Sequence, residues 1–539
     1  MKIAGTWFSL WLLLGGALPA QGYPDSPEPP GRREYKRLHP WALARIREGR
    51  TDRALSYLRK LLAGNPGDPE TWYMLAVAYS ARGRIGAALE AAARALDLGL
   101  PPGRIAGGTL TGLEPLAETG LVRNLLETFR TRPVHGPMLG SMTDRSVRIW
   151  VRTAREAAVR ALVSEKPGLV PAAVAEGRTK KERDYTAVLE VKGLKPGTKY
   201  FYALEIGGRR GKVRSFRTFP ARGKGGKFRI VFGGGAGYVP SNERVWRTIL
   251  SFRPRALLLL GDNVYIDAPG IPAIWHYDYY RRQSRPEFRR LVSRVPVFAI
   301  WDDHDFATND CVPGPGVDTP PWKRKVFEFF RDNWVNPCYG GGDGRPGCWF
   351  DFRAGDVHFV MLDCRYYRTL REKGASTMLG PAQKRWLFET LLSAGSRHPA
   401  FTVLASSVPW TFFAKGKSRD TWNGFREERK EIFDFLSRNG IDGVILLSAD
   451  RHRSDLWKIE REGEYPLYEF ESSRLTNQHV HKTMKKALFS FNAAQSFGVV
   501  DFDTTLPDPT VTYRIADIDG KVVFSFTARR SALVAGKGK

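Results

Sequence analysis

Apolar residues recur about every four positions between residues 36 and 97, the period of helices that bury one face. Beyond Pro133 the period falls to two. Residues 147–152 (VRIWVR), 185–191 and 200–204 alternate apolar with polar, and turn chemistry such as Lys195-Pro-Gly separates them, so half-buried strands are predicted there. From Phe228 a third pattern takes over. Continuous apolar runs at 256–260 (ALLLL), 297–301, 357–362, 401–405 and 444–448 alternate with helical patterns at 321–334, 381–393 and 427–438. Thr319 is the expected cap of the first of these helices and Gly440 the stop of the last. A run apolar on both faces is a strand covered on both sides, as parallel strands under helices are. Alternation returns at 498–503, 510–515 and 521–526, with a hairpin turn at Asp519-Gly520 closing the final pair.

In the helical part, Trp72, Leu75, Ala76, Tyr79, Gly83, Ala88, Ala92 and Ala95, followed by Pro101, are spaced like a tetratricopeptide repeat; Gly49, Ala54, Leu58 and Leu61 fit the same frame one repeat earlier, less completely. One or two such repeats serve either as helices packed on the rest of the chain or as a docking surface for a protein partner. In the alternating part, Leu194-Lys-Pro-Gly-Thr-Lys-Tyr200-Phe-Tyr202 resembles the tyrosine corner of a fibronectin type III-like sandwich, in which a Tyr hydroxyl bonds back to nearby backbone.

The chemistry sits where apolar runs stop. GDNVY at 261–265, WDDHD at 301–305 and SADRH at 448–452 each follow a buried strand, and α/β folds place their sites at such strand ends. The first two clusters and the residues after them bring Asp262, Tyr265, Asp267, Asp302, Asp303, His304, Asp305, Asn309 and Asp310 to one rim. Unpaired carboxylates that close repel one another and take up protons unless cations offset them, so a polynuclear metal centre is expected.

A length of 539 residues implies about two to four domains, and 42% hydrophobic content implies that they fold. The net charge of +28 raises the question of an anionic partner, but the basic residues are scattered as singles and pairs and form no nucleic-acid module. Lys2, the apolar run 3–18 and a small-residue cleavage site at Gly15-Gly16-Ala17 or Ala20-Gln21-Gly22 resemble a secretory signal peptide. The run is shorter than the ~20 residues a spanning helix needs, and no later segment is long and apolar enough, so a secreted, periplasmic or cell-envelope protein with no transmembrane helix after signal removal is expected. Cys338 and Cys348 bracket the glycine-rich loop YGGGDGRPG; a disulfide across it is the bridge the spacing favours, with geometry left to decide.

The blocks FRIVFGGGA, LLLLGDNVYID, WDDHDFATND, VMLDCRYYR, MLGPAQKRWL, DTWNGFREER and LSADRH, with VHGPMLGSMTDRSVRIWVRT ahead of them, resemble the PhoD-like alkaline phosphatases of the calcineurin-like metallophosphoesterase superfamily. A signal peptide at 1–22, a linker at 23–34, α-helical tetratricopeptide-like repeats at 35–130 and a disordered tail at 531–539 are expected outside this resemblance, which runs from about Pro133 to Ala528 and implies, within a multidomain chain, a fibronectin type III-like β-sandwich at 131–220 and an α/β metallophosphatase-like layered domain at 227–530.

It also implies roles. Asp262 would bridge two cations, Tyr265 would offer a phenolate to iron(III), Asp303 and Asn309 would serve an oxygen-preferring ion such as calcium, and Asp450 and His452 would close the site. Manganese or another divalent ion is the alternative metal. His304 would be kept protonated by its carboxylate neighbours to serve the leaving oxygen, and Arg365 would bind phosphate oxygens, or else form a strand-end ion pair. Asp420 and Asn423 of DTWNGF are read first as a structural loop, with outer groups of the site or metal ligands as the alternative. A metal-bound hydroxide attacking phosphate mono- or diesters is the implied reaction.

One position departs from the family pattern. Where the family has Cys, this chain has Gly235, so the iron site lacks a side-chain ligand from the first strand. The competing reading is therefore a weakened, metal-stabilised binding protein whose repeats dock a partner.

Overall fold

A computed structural model of the chain describes residues 29–31, 34–107, 112–371, 375–393 and 399–535. The segment read as a signal peptide, most of the linker and the last four residues of the tail lie outside the described residues.

Four helices, Tyr35–Arg47, Thr51–Gly64, Pro69–Ala81 and Ile85–Asp97, form the N-terminal unit. The third starts where the sequence chemistry requires: the Asp68 carboxylate accepts from the Thr71 N–H at 3.2 Å, and Pro69 fills the first turn, where no N–H is needed. Ala76, Ala88, Ala92 and Ala95 have no exposed surface and let the helices close on one another. The unit does not stand free. Its core is continuous with Ala268, Ala273, Ile274 and Tyr277 from the later α/β part, and Glu70 takes both an ion pair from Arg104 (3.0 Å) and a hydrogen bond from the Tyr277 hydroxyl (2.8 Å).

Two large sheets make the body of the protein. In the nine-stranded sheet, the parallel strands Lys227–Gly233, Ala256–Leu260 and Val297–Ile300 lie side by side, flanked by the antiparallel meander Ser496–Asp503, Thr510–Asp517 and Val522–Arg529. In the seven-stranded sheet, Val357–Met361, Phe401–Ala405, Val444–Ser448 and Leu467–Ser472 run parallel. Side chains from the two sheets interleave in one core, with Phe298 stacked on Phe352 at 3.9 Å. At one end the sheets touch through a parallel bridge between Gly234 and Ser473.

The alternating segment forms two groups of strands, but not a detached sandwich. His135–Gly140, Val147–Arg152 and Thr186–Val191 are hydrogen-bonded onto the nine-stranded sheet through Gly140 and Val297, while Ala158–Ser164, Ala173–Arg178, Lys199–Ile206, Arg209–Arg210 and Arg214–Arg217 form a separate sheet. Glycine at 140 permits this, since a Cβ there would lie 2.3 Å from the Val335 carbonyl oxygen. The tyrosine corner is present: the Lys195 N–H donates to the Tyr200 hydroxyl at 2.8 Å.

Two local expectations are corrected. The helix expected at 321–334 runs Lys323–Asn333 with Trp322 as its uncapped first flank, because Pro320 and Pro321 stand between it and Thr319 and hold the chain off the helical path. All four cysteines are free. The 338–348 loop is closed instead by backbone bonds, Gly340 N–H to the Gly347 carbonyl (2.9 Å) and Gly341 N–H to the Trp349 carbonyl (3.0 Å), while Cys348 is buried in the core and Cys338 remains half-exposed.

Candidate metal centre

Register brings the carboxylates together. Leu257 to Leu260 pair in parallel with Val297 to Ile300, so the chain leaves both strands at the same level and delivers Asp262 beside Asp302 and Asp303. Gly261 is required between them, at φ 108°, because a Cβ there would sit 2.5 Å from that of Asp302. The Gly233-Gly-Gly run has the same origin: Cβ atoms at 234 and 235 would lie 2.7 Å from Ala449 and 2.9 Å from the Ser473 hydroxyl. Non-glycine residues at positive φ concentrate here. Five of the eleven among the described residues are Asp262, Asp267, Asp310, Asp450 and His452, a clustering of backbone strain typical of sites where geometry is imposed.

Asp262, Asp303 and His304 each have a ligand atom within 4.8 Å of the others, and Asp303, Asp310 and Asp420 form a second such group. Asp262 Oδ1 and Asp302 Oδ2 are buried without any hydrogen-bond partner. An orphaned buried carboxylate oxygen is costly, and the oxygen-rich set around it, with imidazole on one side, fits hard or borderline cations. The electrostatics agree: burial first, then neighbouring Asp303, Asp302 and Asp305 raise the Asp262 carboxyl well above its ordinary range despite His304. Without a cation the rim takes up protons.

The surrounding side chains fix the orientation of the centre. The Tyr265 hydroxyl donates to Asp262 Oδ2 (2.7 Å) and accepts from Asn477 Nδ2 (2.6 Å), and its ring stacks on His304 at 4.3 Å. Burial opposes charge on His304, but Asp267, Asp303 and Asp262 raise its imidazole to about 9; Nδ1 is held by Asp267. His452 is the opposite case. Burial and then Lys36 hold it well below its ordinary value, and its Nδ1–H donates to the His479 carbonyl (3.1 Å), which leaves the Nε2 lone pair facing Asp262 at 4.0 Å. Asp305 is structural, its carboxylate accepting from the N–H groups of Asp302 (3.0 Å), Asn263 (3.0 Å) and Val264 (3.1 Å).

Residues 230–531 match the family model described as PhoD-like phosphatase. The chain belongs to the PhoD-like phosphatase family. Residues 125–220 match the N-terminal domain of PhoD-like phosphatases and residues 45–99 a tetratricopeptide repeat. Alkaline phosphatase D of Bacillus subtilis (strain 168) is 21% identical over 369 residues, which is 60% of each chain. The Mus musculus serine/threonine-protein phosphatase CPPED1 is 24% identical over 205 residues, 38% of this chain and 55% of that one. The chain thus spans about three fifths or less of the curated relatives it matches. Among solved structures, that of PhoD superposes with TM-score 0.59 at 17% identity, covering 72% of this chain and 91% of the other. The purple acid phosphatase PPD1 from yellow lupin (Lupinus luteus) seeds gives 0.54 at 14%, covering 74% and 75%. Both share the fold.

Against that PhoD-like frame, Asp262, Tyr265, Asp303, His304 and His452 converge, and Asp450 lies beside them, 3.8 Å from Lys415 Nζ. Asn309 stands outside the carboxylates. Its side chain is exposed, because the turn instead directs Asp310 inward, with the Asp310 N–H donating to Asp303 Oδ2 at 2.6 Å. Arg365 is fully buried and already committed: Nε donates to Asp302 (2.5 Å) and the two terminal nitrogens to Asp420 (2.6 and 3.3 Å). It therefore braces carboxylates rather than presenting an open fork to phosphate, because fixed negative partners already occupy its donors.

Asp420 is drawn into the centre rather than into a merely structural loop. Lys415, whose Nζ reaches Asp310 (2.7 Å) and Asp420 (2.9 Å), and Asn477, His479 and His481 carry no signal in the sequence, since they come from loops without periodicity. His452, His479 and His481 form a third group of potential ligands.

Proposed function

We propose that this PhoD-like protein is an exported, metal-dependent phosphoesterase acting on phosphate mono- or diesters. The observation that carries the reading is the orphaned, buried Oδ1 of Asp262, a member with Asp303 and His304 of a group that meets metal-ligand spacing, with a second orphaned oxygen on neighbouring Asp302. Asp262 would bridge two cations, with Tyr265, Asp450 and His452 on one side and Asp303, with Asp310 in place of Asn309, on the other. Tyr265 favours iron(III), because a phenol ionises at neutral pH only against a strong Lewis acid, and the oxygen group favours calcium; manganese is the alternative. Cations held there supply an activated water and offset charge developing on phosphorus.

The chain's own groups do the rest. His304, fixed by Asp267 at Nδ1, holds a proton at Nε2 for the leaving oxygen. Lys415 adds positive charge beside Asp450 and Asp420, and Arg365 keeps Asp302 and Asp420 in place. Export rests on residues 1–22 as a signal peptide. The domain limits 35–130, 131–220 and 227–530 are part of the same reading, with the second domain sharing a sheet with the third.

Purified protein supplied with iron plus calcium, or with manganese, is expected to release phosphate or alcohol from aryl phosphate mono- or diesters. Asp262→Asn should lower kcat by ~10²-fold or more. Turnover in that variant equal to the wild type would refute the assignment. The binding-protein alternative, motivated by Gly235, requires a free docking face, yet part of the apolar surface of the helical unit is covered by the α/β part.

A further inference from the structure

The helical unit lies outside the family's phosphatase frame, and yet its first helix reaches the centre. Lys36 is buried, with Nζ donating to Asn477 Oδ1 at 3.2 Å and lying 4.1 Å from the centre of the Tyr265 ring. Asn477 in turn donates to the Tyr265 hydroxyl at 2.6 Å. The next residue makes a second link. Arg37 Nε donates to Asp267 Oδ2 (2.9 Å), and the other oxygen of Asp267 holds His304 Nδ1.

The backbone secures this end of the helix to the catalytic part. Pro40 has no N–H to give to the Lys36 carbonyl four residues earlier, and Arg281 Nη2 donates to that carbonyl instead at 3.3 Å. Between Tyr35 and Lys36 on one side and Asn477 and His479 on the other opens a cavity of about 510 Å3, of which the start of the helix forms one wall.

Resting on the phosphoesterase reading, we propose that Lys36 and Arg37 are positioning residues of the centre: Lys36 fixes the phenol of Tyr265 through Asn477, and Arg37 fixes the ring of His304 through Asp267. The helical unit is on this view a component of the active site. A cation against the Tyr265 ring and an amide N–H on its oxygen hold the phenol in one orientation beside Asp262. A carboxylate anchored from both ends holds the imidazole in one orientation.

The test compares Lys36→Met, Lys36→Arg, Arg37→Gln and, as control on the exposed face of the second helix, Arg59→Gln. Two quantities are read: manganese retained per chain after equilibrium dialysis, and kcat and KM on an aryl phosphate. Lys36→Met and Arg37→Gln are expected to lose about 10- to 100-fold in kcat with KM little changed. Lys36→Met should also retain manganese more weakly, Lys36→Arg should recover much of both quantities, and Arg59→Gln should match the wild type. If Lys36→Met fails to fold, Asn477→Ala, which cuts the same link from the other side, should give the same losses. Wild-type turnover with unchanged kcat and manganese in both variants would overturn the inference and leave the function standing. A wild type without turnover would defeat the function, and manganese retention alone would then decide: weaker binding in Lys36→Met supports the brace, and equal binding refutes it.

Discussion

Asp302 shows how burial and pairing compete at one residue. Burial, opposed by Arg365 and reinforced by Asp303 and Asp450, pushes its carboxyl up to about 7, against an ordinary value of about 4. Between those values the metal-free native state holds a proton that the unfolded chain has lost, so this group's contribution to stability falls as pH rises from about 4 to about 7. Metal-free Asp302→Asn should therefore gain on metal-free wild type over that range, on the order of 1–3 kcal/mol, when melting is followed at both ends. A gap that does not move with pH would contradict this. Gly235 gives a second case at the same scale. Its φ of 69° and the Ser473 hydroxyl 2.9 Å from a would-be Cβ make Gly235→Ala costly by about 1–2 kcal/mol in a denaturant titration. Asp262, Tyr265, Asp303, His304 and His452 were legible in the sequence because each follows an apolar strand end. Asp420 was legible only as one of two readings, a structural loop or a group of the site, and Lys415 and Asn477 were not legible, because a loop residue carries no period from which its position can be read. Arg365 was legible as important, but its chemistry was not, since only the fold reveals that Asp302 and Asp420 claim its donors.

Among the elements, the strand Ala256–Leu260 has the greatest influence, because its neighbours on both sides run parallel and every one of its residues is buried. Leu258, paired between Phe232 and Phe298, has no exposed surface. Leu258→Ala should cost about 2–5 kcal/mol by the loss of contacts and the cavity left, and should lower metal retention as well, since the same strand aims Asp262. Unchanged stability would mean that the register is held elsewhere. Continuous apolar runs made such strands readable to within a residue, as at Phe401–Ala405 and Val444–Ser448, because nothing polar interrupts a strand covered on both faces. Helix starts were less readable. Where Pro320 and Pro321 intervene, the chain bends before the helix begins, and a capping residue can be placed too early.

For the whole molecule, the charge of +28 finds its use inside as well as outside. Arg104, Arg152, Arg365 and Arg368 are fully buried and join elements far apart in the chain; Arg152 by itself donates to Gln283 (2.5 Å), Asp184 (2.6 Å) and Asn333 (2.9 Å). Composition revealed the excess of basic residues but not their destination, which depends on long-range partners. The repeats were likewise recognisable by spacing, yet their union with Ala268, Ala273, Ile274 and Tyr277 was not, because contacts between distant segments leave no local pattern. A chain shortened to begin at residue 131 would expose that apolar patch and is expected to lose soluble expression, whereas an independent catalytic part would be recovered at wild-type yield. The central claim, that the crowded carboxylate rim binds a pair of cations, is tested most directly by anomalous scattering from crystals grown with metals retained. Two peaks about 3.5–4 Å apart, with Asp262 between them, are expected. A rim with no peak under those conditions, its carboxylates paired only with protein groups, would contradict it.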